Sequence, residues 1–174
     1  MKKLLVIACL TAFSLTMWGT DVIPTTHNFG SSTTSITYTG NTVAKMDADG
    51  TVYTCSGGAL FEGNNGVCIK MPQYSEVVVS PAREGLRHFT VTHDNINNEN
   101  SNVQLSISTD GSSWTVISTD VARTKTSASV NSYTLNGNYF VKLKNMYDSS
   151  LKIVYIRTIT YYTEPCHCLQ VVSE

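Results

Sequence analysis

The segment VQLSISTDGSSWTVIS, residues 103–118, points most directly to the fold of this chain. Its first half places an apolar side chain at every second position, which is the pattern of a strand with one buried face. The pair Asp110-Gly111 suits a tight turn because both residue types tolerate positive φ angles. The second half then predicts a return strand, so we expect the segment to form an antiparallel hairpin.

The same alternation recurs in YFVKLK (139–144), GVCIKM (66–71) and HFTVTH (88–93). SLKIVYIRTITYY (150–162) is apolar on both faces in its middle, as expected of a central strand. No window of a dozen residues has helical spacing, and Asp-Gly or Asn-Gly pairs separate the strands. About ten short strands with regular turns predict an all-β fold, an antiparallel β-sandwich of the jelly-roll type.

The N-terminus, MKKLLVIACLTAFSLTMWG, has two lysines followed by an apolar stretch. This pattern is typical of a secretory signal peptide, and the apolar run is too short for a membrane span. We therefore expect a signal peptide at 1–20, the sandwich domain at 21–165 and a C-terminal tail at 166–174. The alternative is a lipoprotein signal, because VIAC ends at Cys9. Either signal predicts a protein that is secreted, periplasmic or held at the cell surface.

Charge and motifs exclude several classes of function. The net charge is -1 and charged residues make up 14% of the chain. Because no basic stripe is present to neutralise phosphates, we expect no binding to nucleic acid. The chain has no G-x-S-x-G motif, H-E-x-x-H motif or Gly-rich phosphate loop, and its carboxylates are scattered. We therefore expect no catalytic activity.

Four cysteines follow the predicted signal peptide, at positions 55, 68, 166 and 168. An even number in an exported protein indicates disulfides first, and we expect Cys55 to pair with Cys68. Free thiols are the second interpretation. The third is a zinc site in which the Cys-His-Cys segment 166–168 supplies one half and Cys55 and Cys68 the other, although a Cys-x-Cys spacing is tighter than zinc sites usually show.

KMDADGTV, residues 45–52, contains a fragment of a calcium-binding loop. Asp47 and Asp49 precede Gly50 as in such loops, but the third acidic ligand and the distal glutamate are missing. An Asp-Gly hairpin turn explains the segment without an ion. A structural calcium held by Asp47 and Asp49 is the alternative, and we expect no other cofactor.

Four quoted segments, GVCIKMPQYSEVVVSPAREGLRHFTVTHD, VQLSISTDGSSWTVIS, YFVKLKN and SLKIVYIRTITYY, follow one another along the chain. Their order resembles the secreted β-sandwich modules of gut Bacteroidetes, of the galactose-binding-like or jelly-roll type, that accompany polysaccharide-degrading enzymes. The resemblance covers residues 64–162 and rests on core and turn positions. It implies the fold and, as function, the non-catalytic binding of a polysaccharide or glycan; it implies no particular binding residues.

Loop order predicts where a ligand would bind. If each strand is antiparallel to the next, one end of the sandwich carries the loops near 47–50, 93–102, 119–128 and 145–150. The other end carries the tight turns at 110–112 and 136–138. Amides, a carboxylate and an aromatic ring suit sugar hydroxyls and ring faces. The candidate ligand-binding residues at the first end are Asn97, Asn98, Arg123, Asn145, Tyr147 and Asp148. The alternative is a solvated rim that is rich in Asn because Asn suits turns.

Trp114 follows the 110–111 turn and has two interpretations. A large aromatic side chain near a hairpin end commonly covers the edge of a core, and we expect this role. The alternative is a platform for a sugar ring, which requires an exposed indole with polar neighbours. For the whole protein, the alternative to glycan binding is a structural or adhesive role in which the sandwich contacts a cell-surface protein through an apolar patch or an open strand edge.

Overall fold

The computed structural model describes residues 22–29, 36–40, 42–46, 49–63, 67–94, 101–122, 129–130, 134–146 and 153–165. Every regular element in these ranges is a β-strand, and every strand pair is antiparallel, as predicted. None of these residues forms a helix that could cross a membrane. The strands are β1 (Ile23–Asn28), β2 (Ile36–Thr39), β3 (Val43–Met46), β4 (Val52–Ser56), β5 (Leu60–Gly63), β6 (Val67–Met71), β7 (Glu76–Asp94), β8 (Ser101–Ser108), β9 (Thr115–Ala122), β10 (Ser129–Val130), β11 (Gly137–Asn145) and β12 (Val154–Thr163).

Strand β7 belongs to two sheets because its two halves pair with different strands. Strand β4 pairs with residues 76–80 and β11 pairs with residues between 76 and 86, whereas β12 pairs with residues 86–94. The first sheet has the strand order β2-β3-β4-β7-β11-β8-β9. In the second sheet, β12 lies between β7 on one side and β1 and β6 on the other, with β5 beside β6 and β10 beside β7.

One hydrophobic core lies between the two sheets. Leu105 and Leu143 of the first sheet are fully buried, and they share a cluster with Val91 and Ile159 of the second. The period-two pattern explains this, since alternate side chains of each strand face the same side. Burial of each such side chain stabilises the fold by about 1.5–3 kcal/mol. The prediction of an antiparallel β-sandwich is therefore confirmed.

Both ends of β7 lie at the same end of the sandwich. Ser75, just before β7, accepts a hydrogen bond from the backbone N–H of Asn145, and Met71, at the end of β6, accepts one from the Asn145 side chain. Asp94, the last residue of β7, lies level with Lys70 of β6, separated from it by β12. Strand β7 therefore crosses the sandwich twice and bends between its two halves.

Gly85 lies at this bend, with a φ angle of 60°. Its N–H donates to the side-chain oxygen of Asn138, and its carbonyl accepts the N–H of Glu164. Glycine adopts a positive φ at little cost, whereas other residues do so with strain. A Cβ atom at this position would in addition make a close contact of 3.3 Å with the Cβ of Glu164. The residue thus permits the change of sheet.

The predicted grouping of the polar loops holds for the strand ends that border three of them. These ends meet because Asn102 pairs with Val121 and Val103 pairs with Asn145. The prediction is wrong for the loop near 47–50, whose described residues, Asp49 and Gly50, lie at the opposite end. Between this turn and the end of β7 the chain makes five crossings, in β4, β5, β6 and the two halves of β7, and an odd number reverses the end.

Candidate functional site

Trp114 lies on the outer side of the first sheet, outside the core. The ring is half-buried and does not belong to the core cluster. Val116, two residues on and therefore on the same side of β9, is 53% exposed, whereas Ile117 packs against the core. The expectation that Trp114 covers the core is wrong, because the residue's position in the strand alternation places it on the solvent side.

Lys142 is the neighbour of this ring. Its Nζ atom lies 4.6 Å from the centroid of the Trp114 ring, within the range of a cation–π contact. The ladder explains the proximity, since Lys142 of β11 pairs with Ser106 of β8, and Ser106 pairs with Val116 of β9. Strand pairing therefore brings the indole and the ammonium group together on one surface.

Glu76 adds a carboxylate to the same surface. It pairs with Lys144 across β7 and β11, and its Oε1 atom lies 2.8 Å from the Lys144 Nζ. Its Oε2 atom lies 4.0 Å from the Nζ of Lys142. Gln104 pairs with Lys144 from the other side of β11 and brings an amide. We call these five outward-facing residues the Trp114 face: Glu76, Gln104, Trp114, Lys142 and Lys144.

The hairpin before Trp114 is held by its own hydrogen bonds. Oδ1 of Asp110 accepts the N–H groups of Ser113 at 2.7 Å and Ser112 at 2.8 Å, and the hydroxyl of Ser108 at 2.8 Å. These donors hold the pKa of the Asp110 carboxyl well below its usual range. Gly111, with φ 73°, completes the turn. The backbone that carries Trp114 is therefore preorganised.

A buried polar network occupies the end of the sandwich that carries the 47–50 turn. Asp49 Oδ2 lies 2.9 Å from His27 Nε2, and His27 Nδ1 lies 2.5 Å from the Tyr53 hydroxyl. The Tyr53 hydroxyl lies 3.0 Å from that of Tyr161. His27, Tyr53 and Tyr161 are at most 1% exposed and are enclosed by protein, whereas Asp49 lies at the surface.

The ionisation of these groups fixes the direction of the hydrogen bonds. Partial burial alone would raise the pKa of Asp49, but hydrogen bonds from Thr51 and the charges of His27 and Arg83 outweigh it and lower that pKa to about 2. Burial lowers the pKa of His27, so its ring is neutral at pH 7. The Asp49 carboxylate can only accept, so His27 Nε2 carries the hydrogen and Nδ1 is an acceptor. Tyr53 therefore donates to His27.

The direction of the hydrogen bond between Tyr161 and Tyr53 follows in the same way. Burial raises the pKa of both Tyr53 and Tyr161, so both stay protonated. Since the hydrogen of Tyr53 is directed to His27, its oxygen accepts the hydrogen of Tyr161. The chain of donors thus runs from Tyr161 through Tyr53 and His27 to Asp49.

Arg83 completes the network and bears on the predicted calcium site. Its guanidinium donates to Asp49 Oδ2 at 3.1 Å and to the Thr51 hydroxyl, and it lies 4.6 Å from the centroid of the Tyr161 ring. The second oxygen of Asp49 accepts the Thr51 N–H at 2.9 Å. The carboxylate of Asp49 is therefore already paired with a guanidinium. Asp47 lies outside the described residues, among which no group of three or more His, Cys, Asp or Glu side chains could hold a metal ion.

Cys55 and Cys68 carry free thiols, so the predicted disulfide between them is wrong. Cys55 faces the core from β4 of the first sheet, whereas Cys68 lies on β6 of the second. Burial raises the pKa of Cys55 to about 12, and it also raises the pKa of Cys68. For these two residues the free-thiol interpretation is confirmed; residues 166–168 lie outside the described part of the chain.

Asn145 has a structural role that corrects the predicted ligand contact. Its side chain is fully buried and donates to the carbonyl of Met71 at 2.8 Å, which joins β11 of the first sheet to β6 of the second. An amide enclosed between the sheets does not face a ligand. The other predicted contacts lie outside the described residues: Asn97, Asn98, Arg123, Tyr147 and Asp148.

Sequence reasoning missed four members of the Trp114 face. The alternation in YFVKLK was the available signal, because it placed Lys142 and Lys144 opposite the core-facing positions. The alternation in VQLSIS likewise placed Gln104 on the outer side. The position of Gln104 and Glu76 beside these lysines, however, depends on strand order.

The comparison with an adhesin domain supports the fold. No family model matches the chain, and no curated protein is similar to it in sequence. The K2 cleaved adhesin domain of Lys-gingipain is similar over 80% of this chain and 99% of its own, with a TM-score of 0.53 and 14% identity. The carbohydrate-binding module CBM36 in complex with calcium and xylotriose matches 79% of this chain and 98% of its own, with a TM-score of 0.45 and 16% identity. TmCBM61 in complex with beta-1,4-galactotriose matches 65% and 88%, with a TM-score of 0.46 and 8% identity.

These comparisons concern architecture. At 14% identity, the likeness to the adhesin domain shows the fold alone, an all-β antiparallel sandwich. The comparisons carry no information about the chemistry of this chain, which depends on its own surface residues.

Proposed function

We propose that this protein is an exported, non-catalytic β-sandwich that binds a glycan on its Trp114 face. The observation that carries the proposal is the position of Trp114, half-buried outside the core and beside Lys142. The face of an indole packs against the apolar C–H face of a pyranose, and a few positioned polar groups then orient the hydroxyls. Gln104 and Glu76 supply an amide and a carboxylate on the same side of the sheet.

The rigidity of this surface supports the same function. The Trp114 face lies on four neighbouring strands of one sheet, and the hydrogen-bonded turn at 109–113 holds the approach to Trp114. A site on rigid elements loses little conformational entropy when a ligand binds. Such a surface favours recognition of an extended chain over enclosure of a small molecule.

A glycan array followed by affinity measurement tests the proposal. Trp114→Ala should weaken binding of any glycan that the array returns by roughly tenfold or more, since aromatic anchors dominate such contacts. The variant should remain folded because the ring lies outside the core cluster. Tyr74→Asn is a matched control, because Tyr74 is 50% exposed with φ 56° in the turn before β7, and Asn tolerates that backbone. Unchanged affinity in Trp114→Ala would refute the assignment of this face.

The loop end of the sandwich is a second, separate proposal for sugar contacts. Its members are Asn97, Asn98, Arg123, Tyr147 and Asp148. Tyr147→Ala and Asp148→Ala should then weaken binding while Trp114→Ala leaves it intact, because Trp114 lies near the other end of the first sheet.

Export is also part of the proposal. It rests on the cationic and apolar start of the chain. N-terminal sequencing of the mature protein should find a start near residue 21, or a lipid-modified Cys9 for an anchored protein. Recovery of the intact N-terminus from the cytoplasm would refute export.

A further inference from the structure

We infer that the Trp114 face selects glycans that carry negative charge, uronate or sulfated units, through Lys142 and Lys144. The inference rests on the proposed function and adds a class of ligand to it.

The charges on this side of the first sheet are unbalanced. In the described parts of β3, β4, β8, β9 and β11 and in residues 76–80 of β7, the charged side chains on the outer side are three lysines and one glutamate: Lys45, Lys142, Lys144 and Glu76. Lysines therefore outnumber carboxylates on this surface, whereas the whole chain carries a net charge of -1. Asp110, in the adjoining turn, already accepts three hydrogen bonds from the hairpin itself. A surface of one sign attracts ligands of the opposite sign.

Glu76 does not satisfy both of its lysine neighbours. Its Oε1 atom is 2.8 Å from the Nζ of Lys144, so these two groups form a close ion pair. Its Oε2 atom is 4.0 Å from Lys142, which is longer than a hydrogen bond. An ammonium group has three hydrogens to donate, so Lys142 retains donor capacity on this surface.

The position of Lys142 over the indole explains why acidic glycans would be favoured over neutral ones. At 4.6 Å from the ring centroid, the ammonium covers part of one ring face. A neutral sugar that stacks there has to displace the ammonium and offers no charge in return. A carboxylate or sulfate forms a charge-assisted hydrogen bond that is stronger than a cation–π contact on an accessible ring. An acidic glycan therefore draws the lysine off the ring and uncovers the surface on which its own pyranose stacks.

The test uses an array of neutral, uronate-bearing and sulfated glycans, followed by titration with a galacturonate trisaccharide and its methyl ester. The ester keeps the sugar and removes the charge. We expect the acidic trisaccharide to bind roughly tenfold more tightly than the ester in low salt, and this preference to shrink at high ionic strength. Lys142→Met, which keeps most of the length and the apolar stem of the side chain, should remove most of the preference while binding of the ester persists. Lys45→Met, on the same side of the sheet but on β3, should keep most of it.

The outcomes separate the two proposals. Equal affinity for acid and ester, or an array that returns neutral glycans alone, would overturn the charge selection and leave glycan binding intact. An array that returns no glycan at all would overturn both. Binding of acidic glycans that survives both Trp114→Ala and Lys142→Met would place recognition on another surface and overturn the inference.

Discussion

Tyr53→Phe tests the direction of the buried hydrogen-bond network. The substitution deletes one oxygen atom from a fully buried ring and leaves no cavity of consequence. It removes the donor to His27 Nδ1 and the acceptor for the Tyr161 hydroxyl. A buried polar group that loses its partner costs about 1–3 kcal/mol. Two such groups, with some relaxation, should lower the free energy of unfolding by about 2–4 kcal/mol, which corresponds to a decrease in Tm of roughly 5–15 °C.

Tyr161→Phe is the informative companion. If Tyr161 donates to Tyr53, its removal leaves Tyr53 still donating to His27, and only an acceptor lone pair loses its partner. We therefore expect a smaller loss, about 1 kcal/mol. Urea unfolding of both variants checks the difference. Tyr162→Phe is the control, since this half-buried ring stacks on His88 on the outer side of the second sheet, 3.8 Å between centroids, and should change stability by less than about 0.5 kcal/mol.

Two results would refute this reasoning. A Tyr53→Phe protein as stable as the unmodified one would show that the hydroxyl does not hold the network together. Equal losses in Tyr53→Phe and Tyr161→Phe would contradict the assigned direction of donation from Tyr161 to Tyr53.

Two further predictions concern the same residues and the contact between the sheets. His27 has a lowered pKa in the folded protein, where it faces Asp49, Arg83 and two tyrosines, so the unfolded chain binds more protons and stability should fall as the pH drops below about 6.5. Asp49 should add a second loss between about pH 4 and its folded pKa of about 2; thermal melts from pH 8 to pH 3 check both, and a flat profile across pH 5–7 would contradict the first. Asn145→Ala should cost about 1–3 kcal/mol in urea unfolding, because it takes away the buried donor to the Met71 carbonyl. The exposed Asn136→Ala should be close to neutral, and equal stability of the two variants would contradict the assigned role of Asn145.

The sequence predicted the strands better than it predicted their neighbours. Alternation in 103–108 and 139–144 identified the core-facing residues, because period two is a local property of a strand. The same rule, applied two residues back from Val116, would also have placed Trp114 on the solvent side. We instead expected Trp114 to cover the core because aromatic residues near hairpin ends commonly do so, and that expectation was wrong.

Contacts between segments that are distant in sequence could not be predicted from local sequence patterns. The hydroxyls of Tyr53 and Tyr161 meet across 108 positions of sequence. Glu76 reaches Lys144 through a pairing of β7 with β11 that shifts register near Tyr139. The predicted disulfide was wrong for a related reason. Cys55 and Cys68 are close in sequence, but the chain passes from the first sheet to the second between them.

The double membership of β7 makes the two sheets mechanically inseparable. A strand that supplies hydrogen bonds to β4 and β11 with one half and to β12 with the other cannot leave one sheet without pulling on the second. Any force applied to the first sheet, for example by a polymer held on its outer side, is transmitted along this backbone into the second. Because β7 is shared by the two sheets, we expect them to resist force together and to unfold as a single cooperative unit.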